Sequence, residues 1–402
     1  MRDREVINKI YKIEKVKSGV IFLHRAIFRN DPLADSSVVL PPSTVIMQPT
    51  TLCNLDCCYC YLPQRRDSLR MLPIVAREVA AAVCRWVRER PVEVCWHGGE
   101  PLAVGREYLG RLMDCFADFG VVHSIQTNAT LVDRAWCEFL GERHVRVGVS
   151  IDGFPTDNSS RVDVAGRPAF DRIVRGINLL VGEGHEVTVI AVVSDPTPAR
   201  ARRLYTFVRE LGCHWLGVNI EEREGVNHRP TTRELDQTAE FWAELLRAWR
   251  DSPAIRVREV DRALGFASGV LHKDRTRRGP AMIDPLPTIS WDGHVTLVSP
   301  ELAGFSSDRN GQFSCGNVLH EPLDPLIARG MRAPWMREYR LGVRNCRASC
   351  RYFDFCGGGH PSNRHFEHGR LDTTETAYCL NSKIALMEGV IRVAHHDTTE
   401  PC

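Results

Sequence analysis

The chain has 402 residues, 43% hydrophobic and 25% charged, enough to bury a large core and to form more than one domain. A formal net charge of +2 gives no reason to expect a nucleic acid or a membrane surface as partner. Residues 1–20 alternate charged and apolar groups without the continuous apolar core of a signal peptide. The longest strand-like apolar stretch, Val187–Val193, is far too short to span a bilayer. Fifteen cysteines without a secretion signal point to reduced thiols in the cytoplasm, and so to metal ligation rather than disulfides. The basic residues are nearly all Arg. Lysine occurs only at Lys9, Lys12, Lys15, Lys17, Lys273 and Lys383, so residues 18–272 offer none for a Schiff base or a phosphate loop.

In chain order, residues 1–40 read as a mixed helical lead, expected to be too short for a dedicated leader-binding domain, followed by 41–230 as an alternating strand and helix body. Strands are predicted at 44–48, 92–97, 121–126, 145–151, 187–193 and 215–220, with helices at 74–90, 105–118, 133–142, 170–183 and 199–211. The first helix carries Val75, Val79, Ala82, Val83 and Trp86 on one face. Five consecutive βα units imply a parallel sheet with right-handed crossovers, closed or partly closed into a barrel. A helical connector over 231–285 has Phe241, Leu245, Leu246 and Trp249 as its buried stripe. A hairpin at 288–298, turning at Asp292-Gly293, opens a Gly- and Cys-rich region over 286–402.

The polar motifs coincide with the strand ends. Cys53-Asn-Leu-Asp-Cys57-Cys58-Tyr59-Cys60 follows the first strand, and His97-Gly98-Gly99-Glu100-Pro101 the second. Gln126-Thr-Asn128 follows the third, Ser150-Ile-Asp152-Gly the fourth and Asn219-Ile-Glu221-Glu222 the sixth. Parallel α/β folds gather their active-site groups on that rim. Three thiolates on one tight loop can hold three irons of a [4Fe–4S] cube and leave the fourth open, although short cysteine gaps also bind zinc. Two glycines let backbone approach a ligand closely, and Glu100 or neighbouring carbonyls can accept from an ammonium group; an ordinary strand-to-helix turn has the same composition. Arg161 suits bidentate capture of a carboxylate, against a solvated loop charge. Asn128 is a softer candidate, since Asn is common in turns. Cys346, Cys350, Cys356 and Cys379 leave gaps of three, five and twenty-two residues, which suit Zn–Cys₄ or a fully ligated [4Fe–4S] cluster. The glycine run after Cys356 favours iron–sulfur a little.

The cysteine loop and the Gly98-Gly99-Glu100-Pro101 turn, in that order, resemble the signature of the radical SAM superfamily. That resemblance implies a partial (β/α)6 barrel in which Cys53, Cys57 and Cys60 hold a [4Fe–4S] cluster. It further implies that Tyr59, Gly98, Gly99, Glu100, Asn128, Ser150 and Arg161 border S-adenosylmethionine. The C-terminal part resembles the SPASM extension of peptide-modifying members, which supplies seven cysteines for two further clusters. Here no cysteine stands shortly before Gly293, Val298-Ser299 occupies the position after the hairpin, and His360 replaces the cysteine expected four residues past Cys356. One auxiliary [4Fe–4S] cluster is therefore expected, at Cys346, Cys350, Cys356 and Cys379, with Cys315 read as a buried thiol beside a turn.

The pattern Asn219-Ile-Glu221-Glu222 to Glu224-Gly225, then Ser299-Pro-Glu301-Leu and Gly357-Gly-Gly through Asn363-Arg to Cys379, is similar to the cyclophane-forming peptide maturases. In that family a 5′-deoxyadenosyl radical removes hydrogen from a side-chain Cβ of a precursor peptide (leader plus core), and the carbon radical attacks an aromatic ring. Glu301 is the candidate base, with Glu221 and Glu222 as rivals; surface or structural carboxylates are the bland reading for all three. The resemblance also implies an electron donor such as flavodoxin or ferredoxin. Formation of formylglycine or a thioether, or a zinc-bound adaptor that reuses the barrel without catalysis, stay open beside it.

Overall fold

The computed structural model describes residues 41–229, 231, 233–272 and 283–399; the predicted lead at 1–40 lies outside them, as do Lys9, Lys12, Lys15, Lys17 and Lys273. Six strands alternate with helices as the periodicity predicts. They are β1 (Thr44–Met47), α1 (Pro73–Trp86), β2 (Glu93–Trp96), α2 (Arg106–Met113), β3 (Val122–Thr127), α3 (Arg134–Glu142) and β4 (Arg146–Ser150), then α4 (Phe170–Gly182), β5 (Val187–Val193), α5 (Pro198–Glu210) and β6 (Trp215–Ile220). Pro73 starts α1 where a missing N–H costs nothing, and Val75, Val79, Ala82, Val83 and Trp86 are all buried. The stretch read as one helical connector is two helices, α6 (Leu235–Asp251) and α7 (Arg258–Leu271), separated by the two-residue strand β7 (Arg256–Val257). Pro253 explains the break, because the residue before a proline is driven out of the helical region.

Each strand from β1 to β7 pairs with the next in parallel, so the polar segments after them emerge on one rim. In β5 the side chains alternate: Val187, Val189, Ala191 and Val193 are fully buried, while Thr188, Ile190 and Val192 are half-buried. One face of the sheet is thus the hydrophobic core, and the other carries polar groups such as Gln126, Ser150 and Thr188. A side chain at Gly148 would meet the Gln126 carbonyl oxygen at 2.3 Å, so the glycine makes room for a polar interior.

The cysteine-rich region is not a detached appendage. β8 (Thr288–Ile289) pairs in parallel with β1, and β9 (His294–Thr296) and β12 (Ser314–Asn317) continue the sheet antiparallel to ten strands. A small ribbon, β10 (Ser306–Ser307) with β11 (Gly311–Gln312), lies between. Helices α8 (Leu323–Gly330), α9 (Pro334–Ser349), α10 (Phe353–Cys356) and α11 (Pro361–His368) follow. The last helix, α12 (Ala385–Thr399), is entered through a turn at Ala377–Cys379 and a π-helical turn at Leu380–Ile384. It packs along α6, where Gly389 lets the two backbones approach; a Cβ there would lie 2.6 Å from the Ala239 carbonyl oxygen. Gly389→Ala is accordingly expected to lower stability by about 1–3 kcal/mol through overpacking. Gly265→Ala in α7, where a Cβ meets nothing within 4 Å, should instead gain about 1 kcal/mol from helix propensity. Paired thermal melts followed by circular dichroism check both signs.

Candidate active site

The cysteine loop is pinned on both sides by backbone hydrogen bonds. Thr51 N–H donates to Leu69 O at 3.1 Å, Cys53 N–H to Arg65 O at 2.8 Å, Asp56 N–H to Val162 O at 2.7 Å and Cys58 N–H to Ser160 O at 3.2 Å. The Gly98-Gly99-Glu100 turn presses on it from the second strand. Gly99 has φ +62°, and a Cβ would lie 2.6 Å from the carbonyl oxygens of both Leu52 and Thr50. Only glycine fits there. Glu100, 1% exposed, is spent on the protein: Oε1 accepts from Leu102 N–H and Thr127 Oγ1, and Oε2 from Asn128 N–H at 2.7 Å. Burial nevertheless raises its pKa. A substrate ammonium group would therefore meet the carbonyls around the two glycines rather than a free carboxylate.

Asn128 sits beside the thiols, its Nδ2 3.8 Å from Cys53 Sγ and 2.9 Å from Asn54 Oδ1. Ser150 accepts from Gln126 Nε2 at 2.7 Å across β3 and β4. Burial pushes the Cys53 thiol up to about 12 and Cys57 to about 11. Such thiols stay protonated on their own and would release their protons to solvent only when a metal group takes up the sulfurs.

Arg161 requires a revision. Its fork, expected to face an external carboxylate, is closed on Asp152, with Nε–Oδ2 and Nη2–Oδ1 both at 3.0 Å. The same carboxylate accepts from the Tyr59 hydroxyl at 2.5 Å and from Val192 N–H at 2.9 Å. The guanidinium also lies over the Tyr59 ring, 5.4 Å from its centroid. Tyr59 and Arg161 thus hold the loop between Cys57 and Cys60 against the end of β4, by way of a residue the sequence reading quoted without assigning.

Beside this loop a group of carboxylates gathers between the barrel rim and the C-terminal region. Gly225, at φ +55°, lies so close to Tyr61 O that a Cβ would be 2.1 Å away, which clasps the segment after β6 onto the cysteine loop. Glu224 Oε1 accepts from Ser362 Oγ at 2.6 Å and Asn363 Nδ2 at 3.0 Å, and Glu222 Oε2 from the same Asn363 Nδ2 at 2.7 Å. Burial is the main cause that raises Glu222, to about 7, and Glu224 and Glu301 as well; the Glu301 charge adds to the rise of the other two. Burial and then Glu301 also raise Tyr61, whose hydroxyl lies 3.1 Å from His97 Nε2. Glu221 is not part of this group. It pairs with Arg229 at 3.3 Å, and Arg229 in turn touches Cys58 Sγ at 2.8 Å, as strand alternation turns neighbouring glutamates apart.

Cys346, Cys350, Cys356 and Cys379 all line one small cavity, together with Gly358, Gly359, His360, Arg364 and Lys383. Arg364, 1% exposed, donates to Cys346 Sγ at 3.2 Å and to the carbonyls of Gly358, Tyr339 and Leu371. Four thiols and a buried cation without a carboxylate fit an anionic metal–thiolate group. Among the described residues no three His, Cys, Asp or Glu side chains converge on a single-ion site. A cube binds each thiolate to a different iron and needs no such convergence. Cys315 lies elsewhere, its Sγ packed where a Cβ on Gly330 would be 2.2 Å away. No described helix is long and apolar enough to cross a membrane.

The Radical SAM superfamily profile matches residues 47–208. A serine-type anaerobic sulfatase-maturating enzyme of Klebsiella aerogenes is 30% identical over 351 residues, 83% of each chain. An uncharacterized protein of Synechocystis is 30% identical over 357 residues, 84% of this chain and 88% of that one. Among solved structures, anSMEcpe with bound AdoMet and Cp18Cys peptide superposes with a TM-score of 0.67 at 20% identity, covering 89% of this chain and 99% of that one. The chain belongs to the Radical SAM superfamily of enzymes, whose members use a [4Fe–4S] cluster and S-adenosylmethionine for oxidoreductase-type chemistry.

The Asp152 node gives the first functional expectation. Asp152→Ala strands a buried guanidinium and should cost about 3–5 kcal/mol in denaturant unfolding. Asp152→Asn, which keeps the shape, should cost less, and both should bind iron less firmly at the first loop than the parent.

Proposed function

We propose that this enzyme modifies a ribosomally made precursor peptide, joining a side-chain Cβ to an aromatic ring as a C–C cyclophane crosslink. The observation that carries the reading is the placement of the Glu222, Glu224 and Glu301 group between the Cys53/Cys57/Cys60 loop and the four-thiol cavity. Bound at the loop, a [4Fe–4S] cluster with S-adenosylmethionine supplies the homolytic chemistry that removes one hydrogen atom from the peptide. The crosslink then requires that the peptide lose one proton and one electron. Glu301 is the proton acceptor best placed to act. Glu222 and Glu224 are held by Asn363 and Ser362, whereas the Glu301 carboxylate takes only its own backbone N–H among the described residues. A carboxylate raised by burial is also a stronger base than an exposed one. Cys346, Cys350, Cys356 and Cys379 would hold the electron acceptor, a fully ligated [4Fe–4S] cluster. Glu221 has no part in this proposal.

A second reading is favoured by the sulfatase-maturating relative: oxidation of a Ser or Cys of a protein to formylglycine. A crosslink, a thioether and formylglycine made from Ser all remove two hydrogens, so mass alone does not separate them. Co-expression with a short precursor encoded beside the enzyme, followed by tandem mass spectrometry, does. A crosslink suppresses backbone fragmentation between the two joined residues and leaves nothing for an aminooxy probe, while an aldehyde reacts with it.

Anaerobic reconstitution should give about eight irons per chain, and about four after Cys53, Cys57 and Cys60 are all replaced by Ala. Stoichiometric zinc without labile sulfide would support the adaptor instead. For Glu301→Gln, 5′-deoxyadenosine should still form with dithionite and S-adenosylmethionine while crosslinked peptide does not. In the parent enzyme burial raises the Glu301 carboxyl, so the base is lost by protonation at a higher pH than an exposed glutamate would be, and crosslinking per 5′-deoxyadenosine should decline as the pH is lowered.

A further inference from the structure

Lysine is rare in this chain, and Lys383 is the one lysine among the described residues. It is also 8% exposed and lines the four-cysteine cavity. It lies on the π-helical turn Leu380–Ile384, four residues past Cys379. Such turns are uncommon and often mark functional positions, because the extra residue redirects side chains that a regular helix would send elsewhere. The ammonium lies over the Tyr378 ring, 5.0 Å from its centroid, and among the described residues no carboxylate or hydrogen-bond acceptor is paired with it. The Tyr378 ring stands edge-on to His360 at 5.2 Å. His360 and Lys383 thus line the cysteine cavity with Tyr378 packed against both, and the charge of Lys383 is also felt by Glu222.

A buried ammonium facing thiols, without a carboxylate partner, is expensive unless something anionic completes it. Arg364 makes the cavity more positive still, yet it is a different kind of residue. Its hydrogen bonds to three carbonyls make it a post that holds the local fold. Lys383 has no such structural bond, and in a chain so rich in arginine its compact charge fits where a planar fork has no carboxylate to grip.

We propose that Lys383 is a positioning charge that sets the reduction potential of the cluster held by Cys346, Cys350, Cys356 and Cys379, poising it to accept the electron that the peptide gives up. This inference rests on the reading of that cavity as a cluster site. The balance is one electron: the cyclised substrate radical is oxidised by one electron and loses one proton to a carboxylate, and the cluster site gains one negative charge. A fixed cation beside that charge, in a medium of low dielectric, stabilises the reduced form and raises the potential. The Tyr378 ring packs against both Lys383 and His360, 5.0 Å from the ammonium of the one and 5.2 Å from the ring of the other.

The test is an EPR-monitored redox titration of the reconstituted enzyme with both cluster sites filled, comparing the parent with Lys383→Met and Lys383→Arg. In Lys383→Met the second cluster should become harder to reduce by at least tenfold, which a one-electron couple reads as a shift of about 59 mV to more negative potential. The first cluster should not move, and Lys383→Arg should restore most of the shift. Equal potentials in the parent and Lys383→Met overturn the proposal, as does an Arg variant as displaced as the Met variant. If Lys383→Met loses the second cluster, loss in Lys383→Arg as well makes the residue a packing element and overturns the proposal; retention there supports a required charge. A parent enzyme with only one titrating cluster and about four irons fails differently, since it removes the cluster reading itself.

Discussion

Two buried carboxylates, Glu100 and Asp152, govern the rest of the rim. Neither is free to meet a substrate directly. Glu100 joins the second strand's loop to the third through Thr127 and Asn128, while its own N–H bonds Leu52 in the cysteine loop. Asp152 joins the fourth strand's loop to the fifth strand through Val192, and to the cysteine loop through Tyr59. A loop of three thiols has little apolar surface with which to fix itself. Its geometry must be imposed by neighbours, and hydrogen bonds to buried charges are the strongest non-covalent means available, each contributing roughly 1.5–3 kcal/mol. Losing one partner costs more than the bond is worth, since the other charge stays buried.

That constraint explains how far the sequence could be read. The alternating periodicities placed all six strands and the helices between them, because burying one face of each element demands those spacings. Motifs at strand ends followed from the parallel topology, and the two cysteine groups from their gaps. The partner of Arg161 was not legible for a physical reason: a bidentate fork selects a carboxylate, but the sequence does not say whether the carboxylate is internal. Asp152 stood nine residues away and was the nearer candidate. Glu221 and Glu222 were equal rivals in the chain, yet adjacent residues leaving a strand diverge, and only the folded structure shows which of them Asn363 reaches. Tyr61 and Lys383 had no local signal beyond their residue type, and Glu224 only its place in the quoted pattern. The surroundings of Glu224 depend on contacts more than a hundred positions away, as with Ser362.

The C-terminal region shows the same dependence in its electrostatics. Buried carboxyls are gathered at Glu222, Glu224 and Glu301, and buried basic side chains at Arg364 and Lys383. Burial holds His360 down to about 3, helped by Lys383, so this imidazole is neutral and adds no charge to the cavity. Where the resemblance led one to expect a cysteine ligand, the chain therefore carries a neutral ring packed on another ring. On the proposed function, proton acceptance would fall to the carboxylate group and electron acceptance to the four-thiol cavity.

Val298 stands where the chain turns toward Glu301. It has φ +70°, a conformation that a β-branched residue adopts at a cost of about 1–3 kcal/mol. The residue lies two positions past the end of β9, its N–H donates to Pro285 O at 2.7 Å, and Leu302 N–H then bonds Ser299 O at 3.1 Å to form the short helical turn Pro300–Leu302. An extended Val298 would carry the chain onward along the sheet, and Glu301 would leave the rim with it. The strain is thus stored where the chain must turn out of the sheet and present a half-buried carboxylate to the cysteine loop. It persists because the paired hairpin on one side and the buried Leu302 on the other over-determine the turn.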